Sequence, residues 1–579
     1  MTSVQVKDLV GVSFKGEGLA NAVFSFPTSG HHLAGRVLRV QKRAKCGHNT
    51  EYGSKKRTPL TDEQERHYEW LISVFIGPEY HQRSIEVGVS REVLEMLSDL
   101  MEQNNDTRAK KHRKATEIDL DCPTASLMID FSLLLLDLPH PSHDLGFSSS
   151  LCAEIKPKCG FLPTSRFVQR ESKRIHSRHW MYQASKLARG EISQLTHYSP
   201  LDLFSQRPST IRSAIVNLLQ VPQNNIKLFW NGNVCFTGEA EPHHQHFQQQ
   251  QEGGGDLSRL TSSKSSSSSS SSFSRADGSL EASMRRWFAL NVANGHENGL
   301  QHSHNHQTDG KEEEEAEEEH HHNGELNSHS QPQSLSSRED VKETSPLPSS
   351  SLSSPSSAST LLLSPHATST ATTSATPTID GDLGEGEKMF CDTIASLLSE
   401  NQVLQRILRM QQLDAFDIEY IWPLYSKIRK TQLVDRFLSF VADFSVLFAA
   451  QHKQDISSSL SKEVADELRD ELYQSLFVDE DNAERLISLS DDDFVASSSA
   501  IETSFKIIFA FLLGSVAKDC SLMIAINTAA LPLVSTHSIS AHRIATIDFD
   551  LKSVYNIPTY FKQDSSIVSN FEAALSQSH

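Results

Sequence analysis

The chain is poor in cysteine: its 579 residues include seven, at positions 46, 122, 152, 159, 235, 391 and 520, and none forms a C-x-x-C pair. An odd, scattered set argues against a disulfide framework and against a thiolate zinc site, and it predicts a reducing compartment. Long apolar runs are also missing. The longest, Ile507–Ala517, is about half of the ~20 residues that a bilayer requires. Met1–Phe14 has neither a charged n-region nor an apolar h-region, so no secretory leader is expected. Hydrophobic residues make up 37% of the chain, too few for a packed core along its whole length. These absences predict a soluble intracellular protein of the cytoplasm and/or nucleus, with no membrane partner.

The formal charge is −19, which on its face argues against any polyanionic partner. The charge is unevenly placed, however. Residues 1–237 carry +6, residues 238–387 carry −15 and residues 388–579 carry −10. The middle segment holds the run Ser265–Ser272, the acidic block Glu312–Glu319, the triplet His320–His322 and a Ser/Thr/Pro tract near Ser345–Thr378. Such composition cannot offset the entropy of ordering the backbone, so the segment reads as a disordered insert between two folded parts. Twelve of the 27 histidines lie there, without the spacing that closes a metal site. The expected organisation is a nucleotide lobe over 1–150, a second lobe over 151–237 and 388–579, and the insert over 238–387.

In the first part, KGEGLAN (Lys15–Asn21) is a glycine-rich turn between β-prone runs, and GRVLRVQK (Gly35–Lys42) is a basic strand. A glycine turn frees backbone N–H groups to approach phosphate, although ordinary hairpins use glycine too. A helix over Asp62–Phe75 is expected, with Thr61 as N-cap and Gly77-Pro78 as its stop, and a second over Arg91–Gln103. Asp130 lies between two apolar runs, Ser126–Ile129 and Phe131–Leu136. It marks either a hinge facing an adenine edge or an ordinary core strand. In CAEIKPKCGFLP (Cys152–Pro163), strand alternation would turn Glu154, Lys156 and Lys158 to one face. That row is either a mixed-charge edge or a set of groups facing a nucleotide and its phosphates. QNNIKLFWNGNVCF (Gln223–Phe236) reads as a hairpin with Asn231 at its tip.

In the last part, helical periodicity covers Val403–Arg429, with breaks expected near Asp414 and Pro423, and continues over Arg436–Ala450, Lys462–Phe477 and Ser499–Ala517. Asp519 then precedes a β-prone run, and Asp548 ends another, with Lys552 four residues on. One acid before a strand and one after a strand suit phosphoryl transfer, in which one orients the hydroxyl and the other holds Mg²⁺; each also suits a cap or turn.

Taken in order, KGEGLAN, GRVLRVQK, GPEYHQRSIEVGVSREVLE, EIKPKCGFLP, YSPLDLFS, PQNNIKLFWNG, VLQRILRMQQLDAFDIE, AKDCSLMI and IDFDLK resemble the inositol-pentakisphosphate 2-kinase family across about three quarters of the chain. The resemblance implies an α+β, two-lobed inositol-polyphosphate-kinase-like fold and an ATP- and Mg²⁺-dependent, monomeric enzyme. Its substrates would be inositol pentakisphosphate and ATP, with no nucleic-acid partner. By the same resemblance, Asp519 and Lys156 are catalytic, and Asp548 is the metal ligand. Gly16, Glu17, Gly18, Asn21, Arg39, Asp130 and Glu154 would face the nucleotide. Arg113, Lys158, Lys186, Asn231, Lys552 and Tyr560 would face the inositide. Tyr182 and Asn556 depart from the family pattern, which favours a histidine and a basic residue there. A protein kinase is the weaker alternative, since the chain has no HRD-x-x-x-x-N loop and no APE segment. A scaffold acting through the insert is the other.

Overall fold

The computed structural model describes residues 3–18, 20–28, 30–45, 61–104, 116–134, 150–237, 384–527 and 542–578. The insert expected over 238–387 lies outside them up to residue 383. From Glu385 the chain is helical, to Glu400, and the Gly384 N–H is bonded to Glu387. The fold is α+β with two sheets.

The first sheet contains β1 (Ser3–Val4), β2 (Ser13–Glu17), β3 (Asn21–Ser25), β4 (Arg36–Ala44), β5 (Ile85–Val89), β6 (Thr116–Ile118) and β7 (Thr124–Ile129), in the order β1-β5-β7-β4-β3-β2 with β6 beside β4. Its inward residues, among them Phe24, Leu38, Val40 and Val87, pack on Val93, Leu94, Leu97 and Met101 of the helix Arg91–Gln103. The second sheet is antiparallel, in the order β10 (Asn233–Phe236), β9 (Ile226–Trp230), β8 (Ser150–Ile155), β11 (Ser521–Asn527) and β12 (His542–Ile547). Alternation sends Leu151, Ala153 and Ile155 of β8 into the large helical core, and Cys152 to the other face with Phe131 and Phe229.

The helix Asp62–Ile76 starts at Thr61 with a reciprocal capping box to Gln64 and stops at Gly77, where φ is +100°. It lies between β4 and β5 of the first sheet in sequence, yet it packs against the helices Val403–Gln411, Val434–Gln451 and Lys462–Leu476. Its run WLISVFI explains this, because Trp70 to Phe75 is buried on nearly every side and needs the larger core. The break expected near Pro423 does not occur: Asp417–Lys430 is one helix through the proline. Burial of Tyr420, Ile421, Leu424 and Tyr425 around it outweighs the missing backbone bond. The apolar helix Ser498–Ala517 is a core element, with fourteen buried residues.

Candidate active site

Two segments bring the chemistry together at the end of the second sheet. The first is the turn after β8. Glu154 is the last acid on the strand, which stops at Ile155. The Lys156 N–H still donates to the Asn225 carbonyl at 2.8 Å, one step beyond the β8–β9 pairing, so the expected alternation holds from Glu154 to Lys156. It ends at Lys158, which adopts φ +62°. Gly160 is required next, because a Cβ there would lie 2.0 Å from Phe204 Cδ2. The second segment leaves the helix Ser498–Ala517 through Lys518 and Asp519 and enters β11, which pairs with both β8 and β12.

Between them lies a cavity of about 470 Å³ whose lining includes Lys158, Lys186, Lys552, Tyr560 and Asp519. Lys552 Nζ sits 3.0 Å from Asp519 Oδ2. Crowding by protein pushes the Asp519 carboxyl up, but Lys552, Lys158 and Lys156 more than offset it and hold the group below its usual range. Among the described residues, Lys156, Lys158 and Lys186 make no ion pair. Lys186 lies over the Tyr182 ring at 4.5 Å, so the departure from histidine leaves an aromatic support for that ammonium. Desolvation lowers the Lys158 pKa; Asp519 works against this, and Lys156 and Lys186 add to it. Lys158 and Lys186 on the lining, with Lys156 acting on Asp519 from beyond it, leave positive charge whose simple physical complement is an anion.

Three further cations on the lining are neutralised by protein: Lys173 by Asp417 and Asp564, Arg178 by Asp564 at 3.1 Å, and Lys518 by Asp414. Sequence reasoning missed all three; their only sequence signal was proximity to Lys186 and Asp519.

Beside the cavity, β12 delivers Asp548 in a left-handed conformation (φ +67°). Asp548 is open to solvent within the cleft, where protein displaces much of the surrounding water. That desolvation raises its carboxyl above the usual range; Arg39 and Lys156 pull it down, while Glu154 and Asp550 push it up. The Ser521 hydroxyl lies between Glu154 Oε1 (3.1 Å) and Asp548 Oδ2 (3.2 Å), and its one proton can satisfy only one of them. Glu154 also meets Lys227 Nζ at 3.4 Å. From the first sheet, Arg39 reaches across to Asp550, and Asn21 faces Arg39 Nε at 3.1 Å in the amide orientation that satisfies both its ends. Gly16 lies in register with Val23, and Val23 with Arg39, so the glycine hairpin and the arginine share one row of the sheet. Around Gly16 and Gly18 a Cβ would meet open space, while Glu17 is paired with Lys42.

Other residues singled out from the sequence are placed differently. The Asp130 carboxylate is buried and committed to Lys15, Ser132 N (3.0 Å) and Ser132 Oγ (2.6 Å), so its side chain serves the packing of this segment. Lys15, unremarked in the sequence, thereby ties the glycine hairpin to the segment after β7. Asn231 is not on the cavity. It occupies the hairpin tip at φ +47°, and its Oδ1 accepts from Ser150 N at 2.8 Å. The six steps from Asn225 along β9 to Asn231, at about 3.3 Å each, carry it roughly 20 Å from the cavity end of that strand. Gln223, Asn224 and Asn225, at the other end of β9, line the cavity instead. Arg113 lies outside the described residues.

A lysine-lined cavity with an acid at its rim thus lies beside a second acidic cluster crossed by an arginine. The chain belongs to the inositol-pentakisphosphate 2-kinase family, whose family model matches residues 14–566. It is 32% identical over 263 residues to an inositol-pentakisphosphate 2-kinase of Arabidopsis thaliana, covering 41% of this chain and 56% of that protein. It is 48% identical over 87 residues to one of Danio rerio, covering 15% and 18%. A third, of Drosophila melanogaster, is 45% identical over 58 residues, covering 10% and 9%. The chain thus spans about half the length of the plant relative it matches.

Proposed function

We propose that the chain transfers the γ-phosphate of ATP to the axial 2-hydroxyl of inositol 1,3,4,5,6-pentakisphosphate, giving inositol hexakisphosphate. The observation that carries this reading is the cavity in which Lys158 and Lys186, lysines without ion pairs, share the lining with Asp519 and its partner Lys552. An inositol carrying five phosphates supplies the anionic charge that these ammonium groups lack, and lysine serves phosphates spread around a ring as a mobile point charge. Asp519, held anionic by Lys552, accepts the proton of the attacking hydroxyl. Lys156 acts on both Asp519 and Asp548, which suits it to stabilise the charge that develops on a transferred phosphoryl group. Arg39 and the glycine hairpin hold the nucleotide phosphates from the other sheet.

The acidic cluster suits a divalent cation, since Ser521 leaves one of two neighbouring carboxylates unsatisfied and Asp548 is raised by its surroundings. Asp548 would hold Mg²⁺ with Glu154 close by. Mg²⁺ supplies charge neutralisation on the nucleotide phosphates when bound. The test is ³¹P NMR of the product formed from ATP and inositol pentakisphosphate: one new phosphate on the axial position supports the reading, and a new phosphate elsewhere or none overturns it.

A further inference from the structure

We propose that Gln411 is a positioning residue that sets Lys158 against Asp519. The inference rests on the kinase reading of the cavity. Gln411 is the last residue of the helix Val403–Gln411 and is completely buried. Its amide bonds two other segments through both of its N–H donors and its oxygen. Oε1 accepts from Gly160 N at 2.8 Å, and Nε2 donates to the Lys158 carbonyl at 2.7 Å and to the Ala517 carbonyl at 3.1 Å. One side chain therefore joins the lysine turn to the end of the helix that delivers Asp519 two residues later.

Lys158 needs such a clamp. A non-glycine residue at φ +62° is disfavoured and persists only where its surroundings impose it. The same turn grips the acid's segment a second time. The Asp414 N–H donates to the Gln411 carbonyl at 3.1 Å, and the Asp414 carboxylate pairs with Lys518. Gly514 lets the two pieces approach, because a Cβ there would lie 2.8 Å from Asp414 N. Residues 411–414 thus hold Lys158 on one side and Lys518-Asp519 on the other, at one fixed separation. The turn has other anchors as well: the Tyr198 hydroxyl donates to the Pro157 carbonyl at 2.8 Å, and Lys156 N is bonded to Asn225. Removal of the amide should therefore release Lys158 locally and leave the fold in place.

The test is Gln411→Met, which keeps side-chain length and removes all three bonds. Asp414→Asn serves as a second, milder variant that loosens only the Lys518 anchor. The first readout is independent of the reaction: the rate at which acetylating reagent modifies Lys158 relative to Lys186, by peptide mass mapping, should rise about fivefold or more once the carbonyl clamp is gone. The second is kinetic. The KM for inositol pentakisphosphate should rise and kcat fall, each about tenfold in Gln411→Met and less in Asp414→Asn, with the KM for ATP within about twofold. A purely structural role would instead lower kcat with the active fraction and leave both KM values and the Lys158 labelling ratio unchanged. Unchanged labelling and an unchanged inositide KM in folded Gln411→Met overturn the proposal. Raised labelling in a chain whose wild type transfers no phosphate to the inositide would sink the kinase reading and sustain the clamp.

Discussion

Replacing Lys552 with methionine should move the acid limb of activity to higher pH. Lys552 Nζ and Asp519 Oδ2 are 3.0 Å apart, and the Asp519 side chain is 60% exposed. Two unit charges about 4 Å apart interact by about 1 kcal/mol in water and about 4 kcal/mol at an effective dielectric of 20. The exposure of Asp519 puts the pair near the lower figure, as for other solvent-facing ion pairs. About 1 kcal/mol corresponds to somewhat less than one pKa unit. The sign follows from the chemistry: Asp519 works deprotonated, Lys552 helps to hold it so, and loss of the cation lets it protonate at a higher pH. The assay is kcat/KM for inositol pentakisphosphate from about pH 4 to about pH 8 at saturating ATP, expressed as the ratio of variant to wild type. The inositide phosphates titrate over the same range, but they do so identically for both proteins and cancel in the ratio. Loss of a phosphate contact lowers the ratio at every pH. Loss of the Asp519 partner makes it fall further toward acid. A ratio that is low but flat would refute the idea that Lys552 tunes Asp519.

Three other consequences are measurable. Lys173 is buried against Asp417 and Asp564, and burial followed by the second carboxylate raises Asp417 to about 6 despite Lys173. Lys173→Met strands Asp417 and leaves Asp564 with Arg178 alone, and should cost about 3–5 kcal/mol in urea unfolding; a loss below about 1 kcal/mol would show that the network is solvated. Gly160→Ala should cost about 1–3 kcal/mol, since the added methyl meets Phe204, and a neutral result would mean that the turn moves freely. His81 and His179 are buried neutral, with pKa values lowered by desolvation to about 4. The unfolded chain then binds more protons below about pH 6.5, so stability present above that value is lost as pH falls toward 4, by about 2 kcal/mol per histidine at pH 5. Denaturant titrations of His179→Gln at both pH values should show a correspondingly shallower loss; an unchanged slope would contradict its burial as a neutral group.

What the sequence could reveal depended on how local the determinant was. Thr61 and Gly77 bound a helix through bonds made within four residues, and they were legible as such. Where that helix docks was not, because Trp70 and Phe75 signal burial without naming the partner. Asp519 and Asp548 stood out through their positions at strand ends, and the cavity adds only the lysines that share their space. Asn231 shows the converse. Asn-Gly chemistry at a hairpin tip and Asn-Asn chemistry at the strand's other end look alike in one dimension, and only the length of β9 separates them. Gln411 carried no signal at all. A glutamine at a helix end reads as solvent-facing, and its importance comes from three partners that lie 251, 253 and 106 residues away. The lysine turn was legible by composition and by alternation as far as Lys156, whereas the left-handed backbone of Lys158 was not.

The most direct measurement is the product formed by the wild type and by Asp519→Asn from ATP and inositol pentakisphosphate, separated by anion-exchange chromatography, with inositide affinity measured in parallel by calorimetry. The wild type should yield inositol hexakisphosphate. Asp519→Asn should bind the inositide with similar affinity yet turn over about 10²–10⁴-fold more slowly. A wild type without product, or an Asp519→Asn variant that matches it, would contradict the account.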